Sequence, residues 1–251
     1  MRKFGLIGYP LGHSFSKMYF ENKFLTESIS ECSYENYEIE SLESLKDLIT
    51  KERELKGLNV TIPHKSEILK YLDYIDDEAS EIGAVNVLKI YGKSEGRFIK
   101  GFNTDIFGFK ESLVLHLKDK KINNALVLGT GGSSKAVAYV LDKLGIETLF
   151  IARKPSEDSI SFNDLTDDIL IDNKLIINTT PLGMFPNTED SPGLNYDCLT
   201  PEHILFDLVY NPPLTLFLKK GEEQGCTIIG GLKMLQLQAE KSWEIWNNDS
   251  V

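Results

Sequence analysis

Cysteine is scarce in this chain: Cys32, Cys198 and Cys226 are the only three among 251 residues. They are far apart and odd in number, which fits neither a disulfide framework nor a zinc site. Reduced thiols are therefore expected, and a cytoplasmic location with them. Histidine is nearly as sparse, with four residues. His13 and His64 have no Ser, Cys or ligand partner at a useful spacing and read as structural. No metal-ligand cluster is visible, so no metal is expected. Positive charge is in deficit, 27 Lys and Arg against 38 Asp and Glu, a net charge of −11. That balance disfavours nucleic acid as a partner, because no basic surplus exists to neutralise phosphates. It leaves anionic small ligands open, since a site needs only a few local donors. No apolar run reaches the roughly 18 residues of a membrane span. Met1-Arg2-Lys3 resembles the start of a signal segment. Gly8, Tyr9 and Pro10 interrupt it before an apolar region develops, so a buried first strand is the better expectation.

What is present is an ordinary globular mixture, 41% hydrophobic and 26% charged. Short apolar runs alternate with helical patterns. Strands are expected at 3–8, 34–39 and 57–62, with helices at 16–26, 42–49 and 66–72. Segments 85–91 and 97–102 flank a Gly-bearing turn and read as a hairpin. Segment 105–117 is amphipathic and helical. The pattern then restarts, with strands at 125–128, 148–151, 175–178, 204–207 and 227–229. Helices fall at 133–144, 214–224 and 231–246, and the polar stretch 154–168 reads as a loop with a short helix. Alternating strands and helices argue for α/β structure with parallel sheets covered on both faces. The restart near residue 105 divides the chain into two such domains.

The second half opens with a strand, a glycine-rich turn and a helix start: Ala125 to Leu128, then Gly129-Thr130-Gly131-Gly132-Ser133, with the small Ala136 on the inner helix face. Gly129 permits a tight turn and Gly131 lets the backbone approach a pyrophosphate. The helix N-terminus then offers N–H groups and positive dipole to the anion. The next strand ends in Ala152-Arg153-Lys154. An acidic residue there would mark an NAD site; two cations suit the 2′-phosphate of NADP. One charge-assisted hydrogen bond is worth about 1.5–3 kcal/mol, a preference on the order of tenfold to a hundredfold.

In the first half, Lys65 follows a strand, a proline and the expected start of a helix. Positive dipole and partial desolvation would both disfavour its charged form and suit it to proton exchange. Taken alone it is a solvated surface residue. Asp105 ends another expected strand; taken alone it is a helix N-cap. Both fall at strand ends of the first lobe, where open α/β sheets place ligand groups. Ser14 and Ser16, in the loop after the first strand, carry hydroxyls for a carboxylate or hydroxyls; Ser16 alone is a plain N-cap.

With these motifs in hand, nearly the whole chain resembles the shikimate dehydrogenase family. The resemblance rests on segments 8–16, 59–65 (Asn-Val-Thr-Ile-Pro-His-Lys), 83–86, 103–108 (Asn-Thr-Asp-Ile-Phe-Gly), 129–132, 178–184 (Asn-Thr-Thr-Pro-Leu-Gly-Met), 207–212 (Asp-Leu-Val-Tyr-Asn-Pro) and 234–239, in that order. It implies reversible NADPH-dependent reduction of 3-dehydroshikimate to shikimate, in aromatic amino-acid biosynthesis. It implies a mixed, mostly parallel α/β substrate domain (1–105 with 233–251) and a Rossmann-type NADP-binding domain (106–232), with the site in the cleft between lobes. Lys65 would be the acid/base at the C3 oxygen and Asp105 its partner. Ser14 and Ser16 would hold the carboxylate, and Thr61, Asn86, Tyr210 and Gln238 the other polar groups. Gly129, Thr130, Gly131, Gly132 and Ser133 would cradle the pyrophosphate. Ala152, Arg153 and Lys154 would surround the adenosine phosphate, and Leu208 and Gly231 would flank the nicotinamide. The protein would act as a monomer or homodimer.

The chain departs from the family pattern at three places. Ala152 stands where the family commonly has Asn, Lys233 where it often has Gly, and Val87 where Thr is common. Two other readings compete: an NAD-dependent quinate/shikimate dehydrogenase, opposed by Arg153-Lys154, and a non-catalytic NADP or metabolite sensor, opposed by the retention of Lys65 and Asp105.

Overall fold

The computed structural model describes residues 1–12, 15–92, 96–117 and 120–248. It separates into two compact units, Met1–Thr104 with Ala239–Val251, and Asp105–Gln238. The sequence-based division at 105/106 and 232/233 differs most at the second boundary. Met234 packs with Phe109, Val127 and Phe206 of the second unit, so that unit keeps the first turns of the last helix.

The first unit holds β1 (Arg2–Gly8), α1 (Phe15–Thr26), β2 (Cys32–Glu38), α2 (Leu45–Lys51) and β3 (Leu55–Val60). It continues with β4 (Tyr74–Ile75), α3 (Asp77–Ile82), β5 (Val87–Tyr91) and β6 (Phe98–Phe102). One sheet orders them β2-β1-β3-β5-β6-β4. β1 pairs in parallel with β2 and β3, while β5 runs antiparallel to β3 and β6. The expected hairpin is therefore present, with Val87 opposite Phe102. β1 is buried from Phe4 to Gly8, as a strand covered on both faces must be. On one side, Phe4, Phe20 and Tyr34 pack with Trp246 from the last helix.

The second unit begins with α4 (Asp105–Leu117), β7 (Asn124–Leu128), α5 (Gly132–Lys143) and β8 (Glu147–Ala152). Then follow β9 (Ser159–Ser161), α6 (Asp167–Asp172), β10 (Leu175–Asn178), β11 (Ile204–Asp207), α7 (Leu216–Glu223), β12 (Thr227–Ile229) and α8 (Leu232–Asn247). Its sheet runs β12-β11-β10-β7-β8-β9, and every pairing is parallel. Counted from β7, this is the 3-2-1-4-5-6 order of a Rossmann fold, and the order reverses between β7 and β10. β7, β10 and β11 consist almost wholly of buried apolar residues, packed against helices on both faces.

Several local expectations are corrected. The helix expected at 66–72 is a short 3-10 turn, Glu67–Tyr71. Stretch 154–168 contains the edge strand β9 before its short helix. Ser16 lies inside α1 rather than capping it. α7 starts two residues later than expected because the Thr215 hydroxyl caps it, accepting from the Leu218 N–H.

Candidate active site

Lys65 sits in the turn that follows β3. That turn is tied down at several points. Thr61 N–H donates to the Ile7 carbonyl at 2.9 Å, His64 N–H to the Thr61 carbonyl at 3.0 Å, and Val85 N–H to the Lys65 carbonyl at 2.7 Å. His64 is buried and its Nε2 meets the Ile39 carbonyl at 2.7 Å, a structural role. Only a 3-10 turn of five residues follows, so the helix dipole expected to act on Lys65 is missing. Its placement beside the strand ends stands.

Asn86, just before β5, is buried. Its carboxamide oxygen accepts from Thr104 N–H at 2.7 Å and its nitrogen donates to Thr104 Oγ1 at 3.1 Å. Asn86 therefore fixes the residue that precedes Asp105. A buried polar chain runs on from there. Thr104 Oγ1 lies 3.4 Å from Ser242 Oγ, Asn59 Nδ2 donates to Ser242 at 3.0 Å, and Tyr34 Oη donates to Asn59 at 2.8 Å. Ser16 hydrogen-bonds the Tyr34 hydroxyl, whose pKa burial drives well above its ordinary value while that bond pulls it down. The chain thus joins two positions marked by the sequence, Ser16 and Asn86, through Tyr34, Asn59, Ser242 and Thr104, none of them marked as a site residue. Ser14 falls outside the described residues. Val87 is fully buried in the aromatic cluster, so a hydroxyl there would face the core.

In the second unit Asp105 is the first residue of α4 and only 1% exposed. It lies inside the helix rather than at the N-cap position expected of it alone. One turn on, a Cβ at Gly108 would lie 3.3 Å from the Gln238 Cβ, so Gln238 of α8 stands over the first turn of α4. Tyr210, after β11, is half-buried.

The glycine loop lies at the carboxyl end of β7. Gly129 has φ +107°, a conformation that only glycine adopts at low cost. Its N–H donates to the Ile151 carbonyl of β8 at 2.8 Å. Thr130 and Gly131 are at the surface and Ser133 is half-buried. A Cβ at Gly131 would meet nothing within 4 Å, so the loop faces open space where an anion can approach. Gly132 opens α5, a helix of 12 residues, whose first N–H groups face that space. Ala152 closes β8, and Arg153 and Lys154 follow, both exposed. Leu208 and Gly231 are brought together: Gly231 N–H donates to the Val209 carbonyl at 3.2 Å, and any side chain at Gly231 would strike the Leu208 carbonyl. Lys233 is exposed on α8 and does not crowd that approach. Among the described residues no group of three or more His, Cys, Asp or Glu could hold a metal ion.

A parallel sheet in Rossmann order, with a glycine loop and a helix N-terminus at its switch point, defines a two-unit protein with a dinucleotide-binding second half. Comparison with known proteins narrows the class. Residues 6–88 match the family model described as the shikimate dehydrogenase substrate binding domain. A shikimate dehydrogenase (NADP(+)) of Methanococcus aeolicus is 40% identical, over 96% of this chain and 90% of its own. Among solved structures, a shikimate dehydrogenase in complex with NADP+ superposes with a TM-score of 0.87 at 32% identity, covering 98% of this chain and 90% of that one. The Thermus thermophilus enzyme in complex with NADP(H) and shikimate gives 0.83 at 30%, covering 98% and 94%. The chain belongs to the shikimate dehydrogenase family.

Proposed function

We propose that the protein catalyses the reversible NADPH-dependent reduction of 3-dehydroshikimate to shikimate, the reaction of its family. The observation that carries this reading is the pairing of the Gly129 loop with the exposed Arg153-Lys154 at adjacent strand ends, joined by the bond from Gly129 to Ile151. The residues present fit NADP: open space over Gly131, a 12-residue helix starting at Gly132, and cations where an NAD site needs a carboxylate. Gly129 to Ser133 would hold the pyrophosphate, Ala152 to Lys154 the adenosine 2′-phosphate, and Leu208 and Gly231 the nicotinamide end. When bound, NADPH supplies the hydride.

The chain's own residues do the rest. Lys65 delivers a proton to the C3 oxygen as the carbonyl becomes a hydroxyl, and removes it in the reverse direction. Asp105 accepts from a neighbouring hydroxyl of the substrate. Ser14 and Ser16 bind the carboxylate, and Thr61, Asn86, Tyr210 and Gln238 bind the remaining polar groups. The three free cysteines suit a reducing, cytoplasmic setting, and no helix among the described residues is long and apolar enough to cross a membrane.

Initial rates at the nicotinamide absorbance band, for shikimate or quinate with NADP or NAD, test the reading. Turnover chiefly with shikimate and NADP is expected. Preference for quinate or NAD would overturn the assignment of Arg153 or of the serines. Binding of NADP without turnover in any pairing would favour a sensor.

A further inference from the structure

At the carboxyl ends of β10 and β11 a carboxylate is enclosed. Asn178 and Asp207 are register partners at the last positions of these parallel strands, and neither is exposed at all. Asp207 Oδ1 accepts from Asn178 Nδ2 at 3.0 Å and from Val209 N–H at 3.0 Å. Its Oδ2 accepts from Thr215 Oγ1 at 2.6 Å. An aspartate is rarely buried this completely without a metal or a countercharge, and all three donors here are neutral. Burial lifts its carboxyl to about 7, against the downward pull of those hydrogen bonds. An apolar side chain would close the core at this point without that desolvation cost.

What the carboxylate holds is the loop after β11. The Val209 N–H is fixed by Asp207 Oδ1, the Leu208 N–H by the Asn178 carbonyl at 3.0 Å, and the Val209 carbonyl by Gly231 N–H at 3.2 Å. The same network reaches the loop after β10. Asn178 Oδ1 accepts from Thr180 N–H at 3.0 Å and from Thr180 Oγ1 at 2.6 Å. Thr179 N–H and Oγ1 both donate to the Leu128 carbonyl, at 3.0 and 2.7 Å, beside the glycine loop. A dinucleotide crosses a Rossmann sheet at its switch point. With its phosphates at β7 and its 2′-phosphate at β8, its other end must extend over β10 and β11.

We propose that Asp207 is a positioning residue for hydride transfer: held by Asn178 and Thr215, it fixes the course of Leu208 to Tyr210 against Gly231 and so the surface on which the nicotinamide rests. The inference rests on the NADP-dependent reading above. It predicts a split between the two ends of the cofactor site. Asp207→Ala strands three donors but leaves the Gly129 loop and Arg153 untouched.

Three quantities test it in purified full-length protein: kcat for shikimate oxidation, the primary deuterium isotope effect with shikimate deuterated at C3, and the Kd of adenosine 2′,5′-bisphosphate, a probe of the adenosine end alone. Wild-type turnover with shikimate and NADP comes first; its absence sinks the functional reading and not this inference specifically. Given wild-type turnover, Asp207→Ala is expected to lower kcat by about ten- to a hundredfold and raise the isotope effect, with the probe's Kd unchanged within about twofold. Asp207→Asn keeps two acceptor bonds and can donate to Thr215, and it should restore kcat to within a few-fold. A kcat within about twofold of wild type in Asp207→Ala overturns the proposal. So does an equal loss of probe binding, which marks general damage. Should Asp207→Ala fail to fold, Thr215→Val removes one donor to Asp207, together with the cap bond to Leu218 N–H, at nearly constant shape. A kcat loss with intact probe binding then supports the proposal, and unchanged kcat and isotope effect overturn it.

Discussion

The indole of Trp246 occupies the space that a side chain at Gly57 would need, and its Nε1–H donates to the Leu88 carbonyl at 3.0 Å. The end of the last helix, which belongs to the first unit, is thereby seated on that unit's own sheet, across the strand that leads to Lys65. Gly57 has no positive φ, so its requirement is one of space. Gly57→Ala should destabilise by about 1–3 kcal/mol through overpacking, and Trp246→Ala by about 3–5 kcal/mol through the cavity it leaves. Urea unfolding measures both. A Gly57→Ala midpoint equal to that of wild type would show that the indole can move aside at no cost.

Lys65 is the proton donor and acceptor in the proposed reaction, so its loss should act on the chemical step. Lys65→Ala is expected to lower kcat by about 10²–10⁴-fold with only a modest change in the KM for shikimate, the pattern of an interaction gained in the transition state. Steady-state kinetics decide it, and a variant that keeps most of its kcat removes Lys65 from the acid/base role.

How much of this is legible in the sequence follows from burial. Leu175–Asn178 and Ile204–Asp207 are read at their observed bounds, because central parallel strands appear as unbroken apolar runs. α4 is equally plain, its buried Phe109 and Leu113 recurring at helical spacing. The elements that escape such reading are short or peripheral. β4 has two residues, β9 is the polar edge strand Ser-Ile-Ser, and α3 and α6 have six residues each, too few to show a period. The turn after Lys65 reads as a helix because Ile68 and Tyr71 fall three residues apart, a spacing that a 3-10 turn shares. Candidate site residues are legible where a motif exposes them, as at Gly129 and Arg153. Asn178, Asp207 and Thr215 do not stand out as site residues, although the first two lie inside family motifs. Their pairing depends on strand register and on the start of α7, which no local pattern encodes. Asn59 and Ser242 escape for a similar reason, being 183 residues apart.

Arg153 is exposed at the carboxyl end of β8, where it would meet the 2′-phosphate that distinguishes NADP from NAD. Arg153→Ala should raise the KM for NADP about tenfold, the loss of one charge-assisted hydrogen bond, with NAD use little changed. Initial rates with each cofactor at saturating shikimate test this. An equal effect on both cofactors refutes a phosphate-specific role and assigns Arg153 to the loop's structure.

The buried carboxyl of Asp207 makes stability depend on pH in a defined sense. Its folded-state value of about 7 lies above the ordinary 3.8, so between those limits the native protein holds a proton that the unfolded chain has released. Stability from this group therefore falls as pH rises from about 4 to about 7, then stays level. The full excursion is on the order of 4 kcal/mol at about 1.4 kcal/mol per unit. The opposing trend of ordinary carboxylates is common to wild type and Asp207→Asn and cancels in their difference. Asp207→Asn, which cannot ionise, should therefore gain stability relative to wild type between about pH 5 and about pH 8. Urea unfolding of both proteins at the two pH values gives the difference directly. A constant difference would mean that the three hydrogen bonds from Asn178, Val209 and Thr215 outweigh burial and keep Asp207 ionised throughout.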